Sequence, residues 1–413
     1  MQSPKTAKKF RHLSATDLRA ITLLATDATH AVTTISEGVH QSVWRTLGAP
    51  SGATKAKARG VTGLVYQGIH GVTKLVGQGV AAALDRLEPL LQRLEGQPEE
   101  SFERAAVVAA FNGVMGDRLK ATNNPLATAM NLRLANQTLD WTTAPSASQV
   151  TGKVLIVIHG LCMNDLQWTA KHAGEQVNHA DTLANVLGYT PVYVRYNTGL
   201  HVSENGHLLA KHLQDLAAHW PVPVTELSVL AHSMGGLVTR SAVQIAQIGG
   251  LQWPNYLKNI VFLGTPHHGA PMERAGNGLD VLLGSTPYSR PFAKLGQLRS
   301  AGITDLRYGL VLDSDWQGRG RFRCKPDLRT PVPLPEGVNC FAVAATTIAK
   351  RGLLADRLLG DGLVPLHSAL GHHVQAARQL HFVAEHQYIA YRTNHMQLLS
   401  SPQVSQKLLF WMQ

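Results

Sequence analysis

Apolar residues recur along this chain with two different periods, and the change from one to the other divides it near residue 125. Before that point the spacing is helical. Leu18 to Leu47 predicts a helix rich in alanine and threonine, which Gly48-Ala-Pro-Ser-Gly-Ala-Thr54 breaks. Then Gly60-Val-Thr-Gly-Leu-Val-Tyr-Gln-Gly-Ile-His70 is followed directly by Gly71-Val-Thr-Lys-Leu-Val-Gly-Gln-Gly-Val-Ala81, with seven of eleven positions identical. Eleven residues make three turns of about 3.67 residues each, so the stripe from Val61 to Leu94 barely drifts around its helix. The glycines cost roughly 1 kcal/mol each against alanine, a cost that close approach to a neighbour or a surface can offset. A further helix is expected from Ser101, its N-cap, to about Leu119, and Asn123-Asn-Pro125 ends it.

Beyond this point the pattern shortens. Met130 to Trp141 partly alternates and predicts a strand, and Thr142 to Thr151 reads as a loop. Continuous apolar runs then punctuate the chain, the mark of strands buried on both faces. They are Lys153 to Ile158, Thr190 to Asn197, Val224 to His232, Asn259 to Pro266 and Val338 to Ala345, with Gln379 to Ala384 expected as the last strand. Helices are expected between them at Glu204 to His219 and from Gly236 to about Ile248, and a closing helix from His395 to Trp411. Residues 267–335 break the rhythm with glycine, proline and arginine. The expected fold class is therefore α/β, with a mostly parallel, doubly wound sheet over 126–413, a lid-like insertion at about 267–335 and a helical N-terminal region over 1–125 that carries the repeat near 60–82.

Composition adds few constraints. A chain of 413 residues exceeds one ordinary domain, and 44% hydrophobic content supports a large core. The formal net charge is +11, and the first sixty residues hold nine Lys and Arg against Asp17, Asp27 and Glu37. No helix-turn-helix, zinc finger or aromatic RNA-binding pattern accompanies that charge, so no nucleic-acid partner is expected. The basic balance suits an anionic surface instead. Cys162, Cys324 and Cys340 have no metal-ligand spacing, so no metal is expected, and whether Cys324 and Cys340 pair is open. No apolar h-region follows the basic N-terminus, and no run of eighteen apolar residues occurs. A cytoplasmic protein is the simpler expectation. The repeat helices either pack on the main domain or make peripheral contact with a lipid surface.

Candidate chemistry centres on Ala231-His-Ser-Met-Gly235, a G-x-S-x-G pattern with alanine in its first slot. A serine on a tight strand-to-helix turn stands clear of the sheet, and small flanking residues let strand and helix pass closely. A serine nucleophile needs a histidine to take its proton and an acid to orient that histidine. Asp361, between Gly360 and Gly362, follows the penultimate strand, with Asp356 as the alternative. His395 follows the last strand, and His386 competes with it. His381 reads as structural, and His267 and His268 precede the acid, out of order. The main-chain N–H groups of Leu161 and Met234 are the candidate oxyanion donors. Cys162 reads as a small apolar filler.

These stretches, His159-Gly-Leu161, Ala231 to Gly236, Gly264-Thr-Pro-His267, Gly360-Asp-Gly-Leu-Val-Pro365 and Asn394-His-Met396, together resemble the α/β-hydrolases of the bacterial lipase and esterase group and the hydrolase domain of the GPI inositol-deacylase type. The resemblance covers about 153–413 and leaves the N-terminal region outside. It implies a serine carboxylic-ester hydrolase that acts on hydrophobic or lipid esters through an acyl-serine intermediate, without cofactor. Larger Pseudomonas-type lipases carry a calcium-binding aspartate where this chain has Gln397, so a structural calcium is not expected. A hydrolase-fold acyltransferase or thioesterase, and a non-catalytic lipid-surface protein, are the alternatives. Leu279, Val281, Leu282, Leu283 and Phe292 in the insertion are candidates to line an acyl site. Arg319, Arg321, Arg323 and Lys325 read either as a solvated loop or as a contact for an anionic headgroup.

Overall fold

Strands whose every residue is inaccessible to water can form only where both faces of a sheet are covered. The computed structural model describes residues 102–143, 145–169, 177–270, 299–318, 327–348 and 360–413. The helix expected at 18–47, the repeat, the apolar residues 279–292 of the insertion, the basic cluster at 319–325, Cys324 and Asp356 lie outside the described residues.

The strands are β1 (Asn131–Leu134), β2 (Gln137–Thr138), β3 (Lys153–Ile158), β4 (Thr190–Arg195), β5 (Glu226–His232), β6 (Leu257–Leu263), β7 (Asn339–Thr346) and β8 (Gln387–Tyr391). They form one sheet in the order β2-β1-β4-β3-β5-β6-β7-β8. β1 runs antiparallel to both β2 and β4, and every pairing from β4 to β8 is parallel. The helices are α1 (Phe102–Ala121), α2 (His179–Leu187), α3 (Val202–His219), α4 (Met234–Ile248), the short α5 (Ala301–Asp305) and α6 (Leu366–Ala369), and α7 (Pro402–Met412).

The period-two alternation sorts each strand between two cores. Val154, Ile156 and Ile158 of β3, Val229 of β5 and Phe262 of β6 face one cluster with α1, α3 and α4. Leu155 and Val157, Leu230, and Val261 and Leu263 face the other, with Leu183 of α2 and Leu408 of α7. Helices thus cover both faces, as the sequence pattern predicts. Residues 299–318 return from the insertion to the same molecule. Asp305 accepts from the Val202 N–H at 2.8 Å and from His201 Nδ1 at 3.0 Å, and Trp316 stacks on His201 with ring centroids 3.7 Å apart. Among the described residues, no helix is long and apolar enough to cross a membrane.

Two expected elements are corrected. Residues 379–384 form no strand. Leu380 and Phe382 are buried as strand residues would be, but the Leu380 N–H donates to Gly371 O at 2.9 Å rather than to a ladder. The last strand is β8, which pairs with β7 from Gln387 to Tyr391. The closing helix does not start at His395 either. Pro402 lacks an N–H and suits only a first turn, so α7 starts there, capped by the Ser401 hydroxyl. Asn394 caps a separate 3-10 turn at Gln397–Leu399 by accepting from the Met396 and Gln397 N–H groups.

Candidate active site

β5 enters the centre of the sheet fully buried and stops at Ser233, whose backbone sits at φ 54° and ψ −123°. A non-glycine residue in that region costs on the order of 1–3 kcal/mol and persists only when its surroundings over-determine it. Here the Ser233 N–H donates to Leu263 O at 2.8 Å, and the Gly236 N–H closes the turn on Ser233 O at 3.0 Å. Gly235 is required for the crossing, because a Cβ there would lie 2.7 Å from His159 O. The Ser233 hydroxyl makes no capping bond to α4, which begins at the next residue. Ser233 is 5% exposed.

The acid and the histidine come from two loops at the same edge. After residue 359 the chain turns tightly through Gly360-Asp-Gly362, with Gly362 at φ 95°. Asp361 Oδ1 accepts from the Leu363 and Val364 N–H groups at 2.9 and 2.8 Å. Oδ2 accepts from His395 Nδ1 at 2.6 Å. The main chain repeats the link, His395 N–H to Asp361 O at 3.1 Å. With Nδ1 donating to the carboxylate, Nε2 is the ring's acceptor. Both side chains are nearly inaccessible.

What joins this pair to the serine is the end of β6. Leu263 holds the Ser233 N–H, and the next residue, Gly264, turns at φ 58° against the imidazole. A Cβ on Gly264 would lie 3.1 Å from both His395 Cε1 and Nδ1, so only glycine lets the ring approach this closely. Behind His395 stands His232, its ring centroid 4.6 Å away, donating from Nε2 to His395 O at 3.1 Å.

The loop after β3 closes the other side. Gly160 lies so near the serine that a Cβ on it would be 2.9 Å from Ser233 Cβ, which brings the following Leu161 peptide beside the turn. Met234, the first residue of α4, follows the serine directly. Tyr196 fixes the loop by donating to His159 O at 2.8 Å and stacking on the His159 ring at 4.4 Å. Burial pushes His159 down to about 4, so the ring is neutral at physiological pH. Burial pushes the Cys162 thiol up to about 12, which leaves it protonated and a poor nucleophile.

Residues 149–319 match the protein family described as the PGAP1-like alpha/beta domain. The fold is that of an α/β-hydrolase. Solved structures similar to this chain include the mature form of the Bacillus licheniformis lipase BlEst2, at 16% identity over 65% of this chain and 94% of that one, with a TM-score of 0.40. Aspergillus fumigatus lipase B is similar at 10% identity over 94% of this chain and 83% of that one, with a TM-score of 0.41. EstA from Clostridium botulinum shares 13% identity over 63% and 86% of the two chains, with a TM-score of 0.37. No curated protein matches the chain by sequence.

The structure brings Ser233, Asp361, His395, Leu161 and Met234 to one edge of the sheet. It does not bring His386 there: that ring packs on Phe341, 4.2 Å between centroids, near α7. His381 is exposed, and His268 donates from Nε2 to Gly371 O at 2.9 Å. His267 is fully buried between Phe262 and Phe382. Cys340 is a free, buried thiol on β7. Sequence reasoning missed Tyr196, Thr198 and the role of Gly264. Their position just past the carboxyl ends of β4 and β6, where ligands sit in open α/β sheets, was the available signal. Among the described residues, no three His, Cys, Asp or Glu side chains are placed to hold a metal ion.

Proposed function

We propose that this α/β-hydrolase is a serine carboxylic-ester hydrolase of the lipase and esterase type, acting on hydrophobic or lipid esters. The observation that carries the reading is the 2.6 Å bond from His395 Nδ1 to Asp361, beside a serine held in strained backbone geometry. The family match spans Ser233, Leu161 and Met234 but ends at residue 319, so Asp361 and His395 rest on geometry.

In this reading Ser233 Oγ attacks the ester carbonyl carbon as His395 Nε2 takes its proton. The carbonyl π electrons move to the oxygen, which accepts from the Leu161 and Met234 N–H groups. Collapse of the tetrahedral adduct breaks the bond to the alkoxy oxygen, and His395 returns the proton to the departing alcohol. Water then adds to the acyl-serine with His395 again as base, and the acid leaves as Ser233 recovers its proton. Asp361 stabilises the imidazolium in each half-reaction. No cofactor enters.

The test is hydrolysis of a nitrophenyl ester series from short to long acyl chains, followed by emulsified acylglycerol. Ser233→Ala is expected to lose at least about a thousandfold in kcat and to escape labelling by a fluorophosphonate. An unchanged rate in that variant sinks the assignment.

A further inference from the structure

α1 has an unusual composition. It is rich in alanine and glycine and apolar on most sides, and Ala110, Phe111, Val114 and Leu119 lie in the same core as β3 and α4. At Met115 its backbone leaves helical geometry, with φ −141° and ψ 21°, between Gly113 and Gly116. Glycine pairs are a common cause of such kinks. Here they bring the helix backbone into direct contact with two loops at the candidate site.

The contacts have no slack. A Cβ on Gly113 would lie 2.2 Å from Cys162 Sγ and 3.0 Å from Cys162 Cα and N. A Cβ on Gly199, in the loop after β4, would lie 2.1 Å from Asn112 O. Asn197 Nδ2 donates to Gly116 O at 3.0 Å, and the Ser300 hydroxyl donates to Gly113 O at 2.6 Å. Cys162 is also held by its main chain, since its N–H donates to Thr198 Oγ1 at 3.2 Å, and its φ is 59°. Asn112 holds the start of the following turn through Leu126 O at 2.7 Å and the Thr128 N–H at 2.9 Å. The residue between α1 and the serine loop is therefore Cys162, one peptide beyond Leu161.

We propose that α1 is a strut for the oxyanion loop. Gly113, bearing on Cys162, is a positioning residue that fixes where the Leu161 N–H stands relative to Ser233. The inference rests on the esterase reading. It gives this helix a share in the rate of the reaction, although no atom of α1 touches the ester.

The experiment compares full-length wild type, Gly113→Ala, Cys162→Ala and the double variant on one soluble ester. Each is also titrated with a trifluoromethyl ketone, whose hemiketal oxygen needs the same donors as the transition state. Gly113→Ala is expected to lower kcat roughly a hundredfold, the scale of a lost oxyanion donor, with KM within about threefold of wild type. Its affinity for the ketone should fall in parallel. Removing Sγ deletes the atom at 2.2 Å, so the double variant should recover at least about tenfold over Gly113→Ala. Complete Ser233 labelling by a fluorophosphonate at long times identifies folded enzyme, and a Gly113→Ala variant that folds only with Cys162→Ala also supports the contact. Wild-type kcat in folded Gly113→Ala, or a loss that Cys162→Ala does not relieve, overturns the inference alone. A wild type that hydrolyses no ester and takes no label overturns the esterase reading as well.

Discussion

At Asp361 both carboxylate oxygens are committed, one to two main-chain N–H groups and the other to His395 Nδ1. Asparagine keeps the size of the side chain but can present an NH2 where Nδ1–H needs an acceptor, which turns the ring to the wrong tautomer. Asp361→Asn is thus expected to lower kcat roughly 10³–10⁴-fold with little change in KM. Steady-state kinetics on a soluble ester decide it, and a loss under tenfold would move the acid to Asp356. Ser233, Asp361 and His395 were legible in the sequence because each sits in a short stretch whose neighbours are fixed by local geometry: small residues around the serine, glycines around the aspartate, asparagine before the histidine. Tyr196 and Thr198 were marked only by their position just past the end of β4. They act through the loop at residues 159–162, some 35 positions earlier, and nothing local to Tyr196-Asn-Thr198 marks a hydroxyl that must reach it. Gly113 was illegible for the same reason, since the atom it must avoid belongs to Cys162.

Among the elements, β3, β5, β6 and β7 were readable because burial on both faces demands an uninterrupted apolar run, and few other structures do. β8 was hidden by the opposite circumstance. It is an edge strand, Gln387-Tyr-Ile-Ala-Tyr391, with only Ala390 buried, so it lacks the pattern that marks its neighbours. Leu380 and Phe382, shortly before that strand, carry a stronger alternation and serve as packing without pairing. The 3-10 turn after His395 is a similar case: Asn394 was legible as a cap, but Pro402 decides where α7 starts. The described flank of the insertion is tied down by buried polar groups. Arg329 donates to His267 O at 2.9 Å and to Tyr308 O, and it pairs with Asp327 at 3.3 Å. It holds the end of β6's loop to the segment that follows α5, so the base of the insertion is fixed relative to the site.

Across the molecule, burial has left several histidines neutral. His159 and His179 are held down to about 4, His268 to about 3 and His267 well below its usual value, in each case chiefly by desolvation. The unfolded chain takes up these protons near pH 6.5, while the folded chain does not, so protonation favours unfolding as the pH falls. Each group contributes up to about 1.4 kcal/mol per pH unit between its unfolded and folded values. Stability measured by urea unfolding should therefore decline steeply from pH 6.5 towards pH 4.5, and a flat profile over that range would contradict neutral burial. The same shared interior has a consequence for how the chain can be cut. α1 contributes Phe111, Val114 and Leu119 to the main core, yet its last residue, Ala121, and Thr122 and Asn123 just after it are exposed. A protease site engineered at 121–123 should yield two complementing fragments that co-elute and keep ester hydrolysis. Fragments that separate on a sizing column while the larger one stays fully active would mean the helix is dispensable. If they stay together, α1 is a noncovalent subunit of its own enzyme, and the peptide bond after it is only a tether.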